Sequence, residues 1–160
     1  MRFIWLLPLG MAVMLFTSCD RHRLYETNIP VKGEQWDYSD VKSFSFEVKD
    51  TSKAYNLFIN VRHSFEFEWR NMYVQIATQF PDGKKMQKRV NLPLSEADGK
   101  WFGDCFGDNC DVPVMIQHDA HFPAVGTYTF SIAQDMRVNP LNRIKAVGLR
   151  VEESIKQEVK

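Results

Sequence analysis

In the stretch Gly126-Thr127-Tyr128-Thr129-Phe130-Ser131-Ile132, aromatic or aliphatic side chains alternate with small hydroxyl side chains. A period of two is typical of a β-strand that has one face in a core and the other in solvent. The stretch therefore predicts a half-buried strand. The same alternation can be sought in the rest of the chain.

The same alternation recurs on both sides of this stretch. It predicts further strands at 44–48, 57–61, 72–76, 85–92, 112–117 and 144–151. Phe65–Trp69 also alternates, but its charged residues place it at a sheet edge or in a loop. Pro81 and Gly83 predict a tight turn between two of the strands, since proline presets one backbone angle and glycine accepts a positive φ.

The fold class follows from the many predicted strands and from the lack of long predicted helices. No window reads as an amphipathic helix of about ten residues or more, and Leu141 to Ala146 is expected to form at most one helical turn. Residues 95–111 are expected to form a long polar loop. We predict an all-β protein, an antiparallel β-sandwich of about seven to eight strands in one domain.

The first residues of the chain read as an export signal. Met1-Arg2 is followed by an apolar run of about 14 residues, whereas a membrane-spanning helix needs about 20. Small residues then precede Cys19, whose thiol suits acylation. We predict that Cys19 carries acyl chains, which attach the protein to a membrane without crossing it. The alternative is an ordinary signal with an incidental cysteine.

Four segments follow from this interpretation. Residues 1–18 are the signal peptide, and residues 19–40 are a polar, lipid-anchored tether with room for one early strand around Tyr25. Residues 41–152 are the sandwich domain, and residues 153–160 are a charged tail.

Composition excludes several classes of function. The chain has 20 basic and 20 acidic residues, so it lacks the basic footprint of a nucleic-acid-binding protein. Neither a glycine-flanked serine of the hydrolase type nor a phosphate-binding glycine loop is present in the sequence. We predict no catalytic residues and no cofactor, so that the protein is not an enzyme.

Cys105 and Cys110 lie close together in a glycine-bearing segment. In an exported chain they can form a local disulfide, and the alternative is two free thiols. Together with His118 and His121 they could supply zinc ligands, but their spacing is wider than zinc sites normally use. The acidic residues of the same segment do not match a calcium-binding loop. We predict no metal site.

Aromatic residues in or beside the predicted loops are the candidate contact residues. Trp69, Trp101 and Phe102, with Phe106 nearby, could contact a protein partner or a glycan. The alternative for Trp101 is that it closes one end of the sandwich core.

The chain as a whole resembles the gliding-motility lipoprotein H (GldH) family of Bacteroidota. The matching blocks are Tyr55-Asn56-Leu57 through Asn60-Val61-Arg62, Pro81-Asp82-Gly83-Lys84, Asp98-Gly99-Lys100-Trp101-Phe102-Gly103, Phe122 through Ile132 with Gln134 and Met136-Arg137, and Val147-Gly148-Leu149-Arg150-Val151. The resemblance implies an envelope lipoprotein associated with gliding motility, and it implies no catalytic residues. Cys105 and Cys110 depart from the family pattern.

These observations lead to one leading hypothesis and one alternative. The leading hypothesis is a lipid-anchored, non-catalytic scaffold that contacts other envelope proteins of a gliding or secretion-type machinery. The alternative is a module that binds glycans or peptidoglycan. Asp20 is followed by basic residues instead of an acidic run, so we predict the periplasmic face of the outer membrane.

Overall fold

The computed structural model describes residues 22–155, which form eleven β-strands and one short 3-10 turn. The strands are β1 (Arg23–Pro30), β2 (Gln35–Trp36), β3 (Lys42–Val48), β4 (Tyr55–Ser64), β5 (Asn71–Gln79), β6 (Lys85–Pro93), β7 (Asp104–Phe106), β8 (Asn109–Ala120), β9 (Gly126–Gln134), β10 (Leu141–Asn142) and β11 (Ile144–Glu153). Within this described part, no helix is long and apolar enough to cross a membrane.

Two antiparallel sheets make up the domain. The five-stranded sheet has the order β1-β11-β4-β8-β7, and the four-stranded sheet has the order β3-β9-β5-β6. β2 and β10 form a separate two-stranded ribbon. The prediction of an all-β, antiparallel sandwich is confirmed. The described residues contain more strands than predicted, because three of the eleven have only two or three residues.

β9 shows how the alternating sequence builds the sandwich. Tyr128 lies opposite Phe46 of β3, and their stacked rings face the core. Across the core, the ring of Tyr25 in the other sheet lies 5.5 Å from that of Phe46. On the outer face, the hydroxyls of Ser45 and Thr129 are 2.9 Å apart. The period of two therefore separates the apolar face from the polar face, as the sequence predicts.

The core lies between the two sheets and is filled by large side chains. Removing an apolar side chain of this size from water contributes about 1.5–3 kcal/mol. The largest fully buried side chains include Trp36, Phe44, Ile59, Met72, Leu92, Leu94, Tyr128, Ile132, Leu141, Ile144 and Leu149.

The predicted tether, residues 19–40, is wrong for most of its length, although the early strand expected around Tyr25 is present as β1. Arg23–Pro30 forms β1, which pairs with β11, and the side chains of Val31 and Trp36 are buried. The folded domain thus begins at Arg23 instead of residue 41. The segment read as a tether because half of the eight residues of β1, an edge strand, are polar, and they do not alternate with the apolar ones.

Three smaller predictions also change. Leu141–Ala146 forms β10 and the start of β11 instead of a helical turn, and β11 continues to Glu153. Residues 95–111 are not only a loop, because they contain β7 and the start of β8. The predicted tight turn is present between β5 and β6, where Gly83 adopts a φ of 83°. Residues 1–18 and 156–160 lie outside the described part of the chain.

Candidate functional site

Aromatic side chains gather at one end of the five-stranded sheet, which we call the aromatic end. It comprises Phe65 in the β4–β5 loop, Trp101 and Phe102 before β7, and Phe106 in the β7–β8 hairpin. Phe65 is 55% exposed, Phe102 is 39% exposed and Phe106 is 90% exposed. Large apolar side chains with this exposure are candidates for partner contacts.

The β7–β8 hairpin carries Phe106 on a tightly closed turn. Cys105 lies directly opposite Cys110, and their sulfurs are bonded at 1.98 Å with the Cα atoms 4.0 Å apart. Gly103 allows the chain to approach β8, because a Cβ atom there would lie 2.1 Å from the carbonyl oxygen of Asp111. The hairpin is thus fixed at its base and across its two strands.

Asp108 ties the hairpin turn to the rest of the sheet. Lys145 Nζ donates to its Oδ2 at 2.6 Å, and Ser64 Oγ donates to its Oδ1 at 2.7 Å. The backbone N–H of Phe65 donates to its carbonyl oxygen at 3.0 Å. The hydrogen bond from Lys145, followed by that from Ser64, lowers the pKa of the Asp108 carboxyl. These contacts hold the turn in one position relative to β4 and β11.

Trp101 packs inward and is only partly exposed. Its ring lies 4.5 Å from the ring of His63 and 6.4 Å from that of Phe67, measured between centroids. Its Nε1–H donates to the carbonyl oxygen of Phe65 at 3.1 Å. In this position the ring covers the end of the core and supports the loop that carries Phe65.

His63 is a buried residue of this end that the sequence analysis missed. Its side chain is fully buried, and Nδ1 donates to the carbonyl oxygen of Ser64 at 2.8 Å. Nε2 has no hydrogen-bond partner within residues 22–155. Burial lowers the pKa of the His63 imidazole, because a charged ring would lose its hydration. The inward alternation of Leu57–Val61, extended by two residues, was the signal that could have found it.

Trp69 takes no part in the ring contacts that Trp101 makes at the aromatic end. It is 41% exposed and borders a groove of about 470 Å³, which is also lined by Tyr73, Arg89 and Asp135. The guanidinium of Arg89 lies 4.0 Å above the Tyr73 ring. Among the described side chains, Trp69 makes no ring contact with Trp101.

The cysteines and His118 were the other candidate site residues in the sequence. Cys105 and Cys110 are joined to each other, and His118 Nδ1 lies 3.1 Å from Asp119 Oδ2. In the range 22–155, no three histidine, cysteine or acidic side chains are grouped as metal ligands would be. Cys19, the predicted lipidation site, lies outside the described residues.

Comparison with known proteins decides the family. The model of the GldH lipoprotein family matches residues 23–151, which is nearly the whole described domain. This chain belongs to the GldH lipoprotein family. The GldH match begins at the first residue of β1, in agreement with a domain that starts at Arg23.

Two GldH relatives cover most of the chain. The gliding motility lipoprotein GldH homolog of Christiangramia forsetii is 30% identical over 149 residues, which are 89% of this chain and 91% of that protein. Gliding motility lipoprotein GldH of Flavobacterium johnsoniae is 29% identical over 150 residues, 89% of this chain and 92% of that protein. The GldH family membership links this protein to lipoproteins of gliding motility in the cell envelope.

Solved structures resemble the GldH domain only weakly. A carbohydrate-binding module specific for non-crystalline cellulose is 12% identical, with a TM-score of 0.38, and the match covers 79% of this chain and 70% of that one. A similarity at this level supports no conclusion about the ligand of the GldH domain.

Proposed function

We propose that this protein is a non-catalytic, lipid-anchored lipoprotein that scaffolds an envelope protein assembly of the gliding type. In this proposal Cys19 carries the lipid at the periplasmic face of the outer membrane. The aromatic end is the surface that contacts another envelope protein. Membership of the GldH family supports the association with gliding, and the geometry of the domain supports the contact surface.

The single observation that carries the proposal is the placement of Phe106. Phe106 is 90% exposed, so its apolar ring lies in water, and its burial by a partner would be favourable. Its turn is fixed by the Cys105–Cys110 bridge and by the contacts of Asp108. A rigid aromatic side chain loses little conformational entropy on binding, and such residues often dominate the energy of an interface.

The two ends of the domain differ in their distance from the proposed anchor. Four peptide steps separate Cys19 from Arg23, so the lipidated residue is at most about 14 Å from the start of β1. Arg23 pairs with Glu152 at one end of β11, whereas the other end, at Ile144, lies beside the aromatic end. The ten residues of β11 span roughly 30 Å. Phe106 therefore lies at the end of the sheet opposite the start of β1, where the proposed anchor would join the domain.

Affinity capture from the native envelope tests the contact surface. After crosslinking in cells, we expect the wild-type protein to recover defined envelope proteins, and Phe106→Asp to lose them. Met86→Asp is the matched control, because Met86 is also exposed but lies on β6 of the other sheet. Recovery of no envelope protein by the wild type, or equal recovery by both variants, would contradict the proposal.

Fractionation tests the anchor separately. Cys19→Ser is expected to move the protein from the membrane fraction to the soluble fraction, since only the acyl chains hold it there. Phe106→Asp is expected to remain in the membrane fraction. Retention of Cys19→Ser in the membrane fraction would show that lipid at this residue is not the attachment.

A further inference from the structure

A groove lies on the outer face of the four-stranded sheet, away from the sandwich core. Its volume is about 470 Å³, which is within the range of sites that hold small ligands. We call it the Trp69 groove and define it by Trp69, Tyr73, Arg89, Asp135, Arg137 and Val138. Met72 and Val74, on either side of Tyr73, are buried, so Tyr73 points out of the sheet into the groove.

The backbone beneath the Trp69 groove is already paired. β5 lies between β6 and β9, and the backbone N–H of Asp135 donates to the carbonyl oxygen of Tyr73 at 2.8 Å. An extended peptide that adds to a sheet needs the free backbone groups of an edge strand. Because β5 has a neighbouring strand on both sides, a ligand of the groove has to be recognised by side chains.

The Trp69 groove has one positive charge without a partner. Arg89 forms an ion pair with Asp135 and also donates from Nη2 to the Asp135 carbonyl oxygen at 3.2 Å. Arg137 is exposed, and within residues 22–155 it makes no hydrogen bond or ion pair. These three are the charged residues of the groove lining. An anion can therefore pair with Arg137 without displacing a partner that the protein supplies.

Glu68, the residue before Trp69, belongs to a neighbouring cavity. That cavity has a volume of about 100 Å³ and shares Trp69 and Val138 with the Trp69 groove. The Glu68 side chain lines the neighbouring cavity and not the groove. We therefore expect an anionic group of a ligand to lie beside Arg137 and not beside Glu68, which would repel it.

Trp69 supplies an open aromatic surface. Its side chain is 41% exposed, and that of Val138, in the same lining, is 38% exposed. The ring of Tyr73 is covered on one face by Arg89, but its hydroxyl has no hydrogen-bond partner within residues 22–155 and is open to solvent. The groove thus combines an apolar wall, a hydroxyl that can donate or accept, and a free guanidinium.

From this arrangement, we infer that the Trp69 groove binds a saccharide that carries a carboxylate. The carboxylate pairs with the guanidinium of Arg137, whose planar N–H groups match its two oxygens. The C–H face of the sugar ring packs on the indole of Trp69, and a sugar hydroxyl exchanges a hydrogen bond with the hydroxyl of Tyr73. An acidic peptide would also pair with Arg137, but the open indole face and the paired backbone of β5 favour the sugar.

The inference goes beyond the proposed protein contact. It agrees in ligand class with the glycan-binding alternative from the sequence, and of the three aromatic candidates it uses only Trp69. Trp69 shares the β4–β5 loop with Phe65 of the aromatic end. Phe106→Asp is therefore included in the test. It should bind the saccharide as the wild type does, which distinguishes the Trp69 groove from the proposed partner contact.

Nuclear magnetic resonance titration of the mature protein in a zwitterionic detergent tests the inference. The acidic probes are methyl glucuronide and N-acetylmuramic acid, and their neutral counterparts are methyl glucoside and N-acetylglucosamine, which lack the carboxylate. We expect saturable shifts of the Trp69 Nε1–H and Arg137 Nε–H resonances at millimolar concentrations of at least one acidic sugar. Its neutral counterpart should bind about tenfold more weakly. A capped Asp-Glu dipeptide, the peptide comparator, should also bind more weakly than that acidic sugar.

Three further variants make the titration specific. Arg137→Gln should weaken binding of the acidic sugar about tenfold and leave the neutral sugar unchanged, because it removes only the partner of the carboxylate. Trp69→Ala should weaken binding of both sugars. Lys85→Gln is the matched control, because it removes a positive charge at the other end of the same sheet face, opposite Gln79. It should bind as the wild type does.

Unchanged resonances remote from the groove confirm that each variant is folded. The inference would be overturned by an absence of saturable shifts with both acidic sugars, by equal binding of the neutral counterparts, or by tighter binding of the dipeptide. Unchanged binding of the acidic sugar by Arg137→Gln, or loss of that binding in Phe106→Asp, would also overturn it.

Discussion

The indole ring of Trp101 lies edge-on to the imidazole ring of His63, with the ring centroids 4.5 Å apart. Trp101→Ala would remove this contact and the hydrogen bond to the Phe65 carbonyl oxygen. We expect the free energy of unfolding to fall by about 2–3 kcal/mol, somewhat less than for a fully buried ring. Trp69→Ala is the matched change at an exposed tryptophan and should cost less than about 1 kcal/mol.

Chemical denaturation of the two variants measures this difference. Equal stability losses for Trp101→Ala and Trp69→Ala would contradict a supporting role for Trp101.

The start of the folded domain is testable by truncation. A chain that begins at residue 22 retains β1 and should unfold with the same free energy as the mature protein. A chain that begins at residue 41 lacks β1, Val31 and Trp36, and it exposes the edge of β11. We expect the shorter chain to aggregate or remain unfolded, as judged by circular dichroism and size-exclusion chromatography. Cooperative unfolding of the shorter chain would restore the tether interpretation.

His63 predicts a specific dependence of stability on pH. Burial holds its folded-state pKa below the ordinary value of about 6.5 that applies to the unfolded chain. As the pH falls through about 6.5, the unfolded chain binds a proton before the folded protein does, so the free energy of unfolding decreases. The loss stops growing once the pH is below the folded-state pKa.

His63→Phe provides the comparison, because an aromatic ring is retained and the titration is removed. Its unfolding free energy should fall less steeply than that of the wild type over the same pH range. The lowered pKa of Asp108 acts separately, because its stabilisation is lost only in the acid range below about pH 4. Equal slopes for wild type and His63→Phe near pH 6 would contradict the burial argument.

The Cys105–Cys110 bridge is expected to be closed in the exported protein. Unfolding in denaturant without reductant should leave both thiols unreactive towards alkylating agents, and reductant should expose them. Because the bridge closes a short ring, Cys105→Ala with Cys110→Ala should lower the free energy of unfolding by about 2 kcal/mol. Alkylation of both cysteines before reduction would show that they are free.

The sequence predicted the sheets because their signal is local. Tyr128, Phe130 and Ile132 identify β9 by alternation alone, and the same is true of β3 and β5. β1 was expected only as one early strand within a tether, because its pairing with β11 connects residues at the two ends of the domain. β7 was not predicted, because an alternation of period two cannot be recognised over three residues.

The candidate site was predictable only in part. Trp101, Phe102 and Phe106 were correctly expected in or beside loops, since aromatic residues among polar and glycine residues stand out in the sequence. The contacts of Asp108 with Ser64 and Lys145 depend on how distant strands meet.

Site-specific photocrosslinking in the native envelope tests the central claim most directly. A photoreactive phenylalanine analogue at position 106 should give a discrete adduct with one or a few envelope proteins. The same analogue at position 86, exposed on β6, should not give that adduct. No adduct at position 106, or the same adducts at both positions, would contradict a partner contact at the aromatic end.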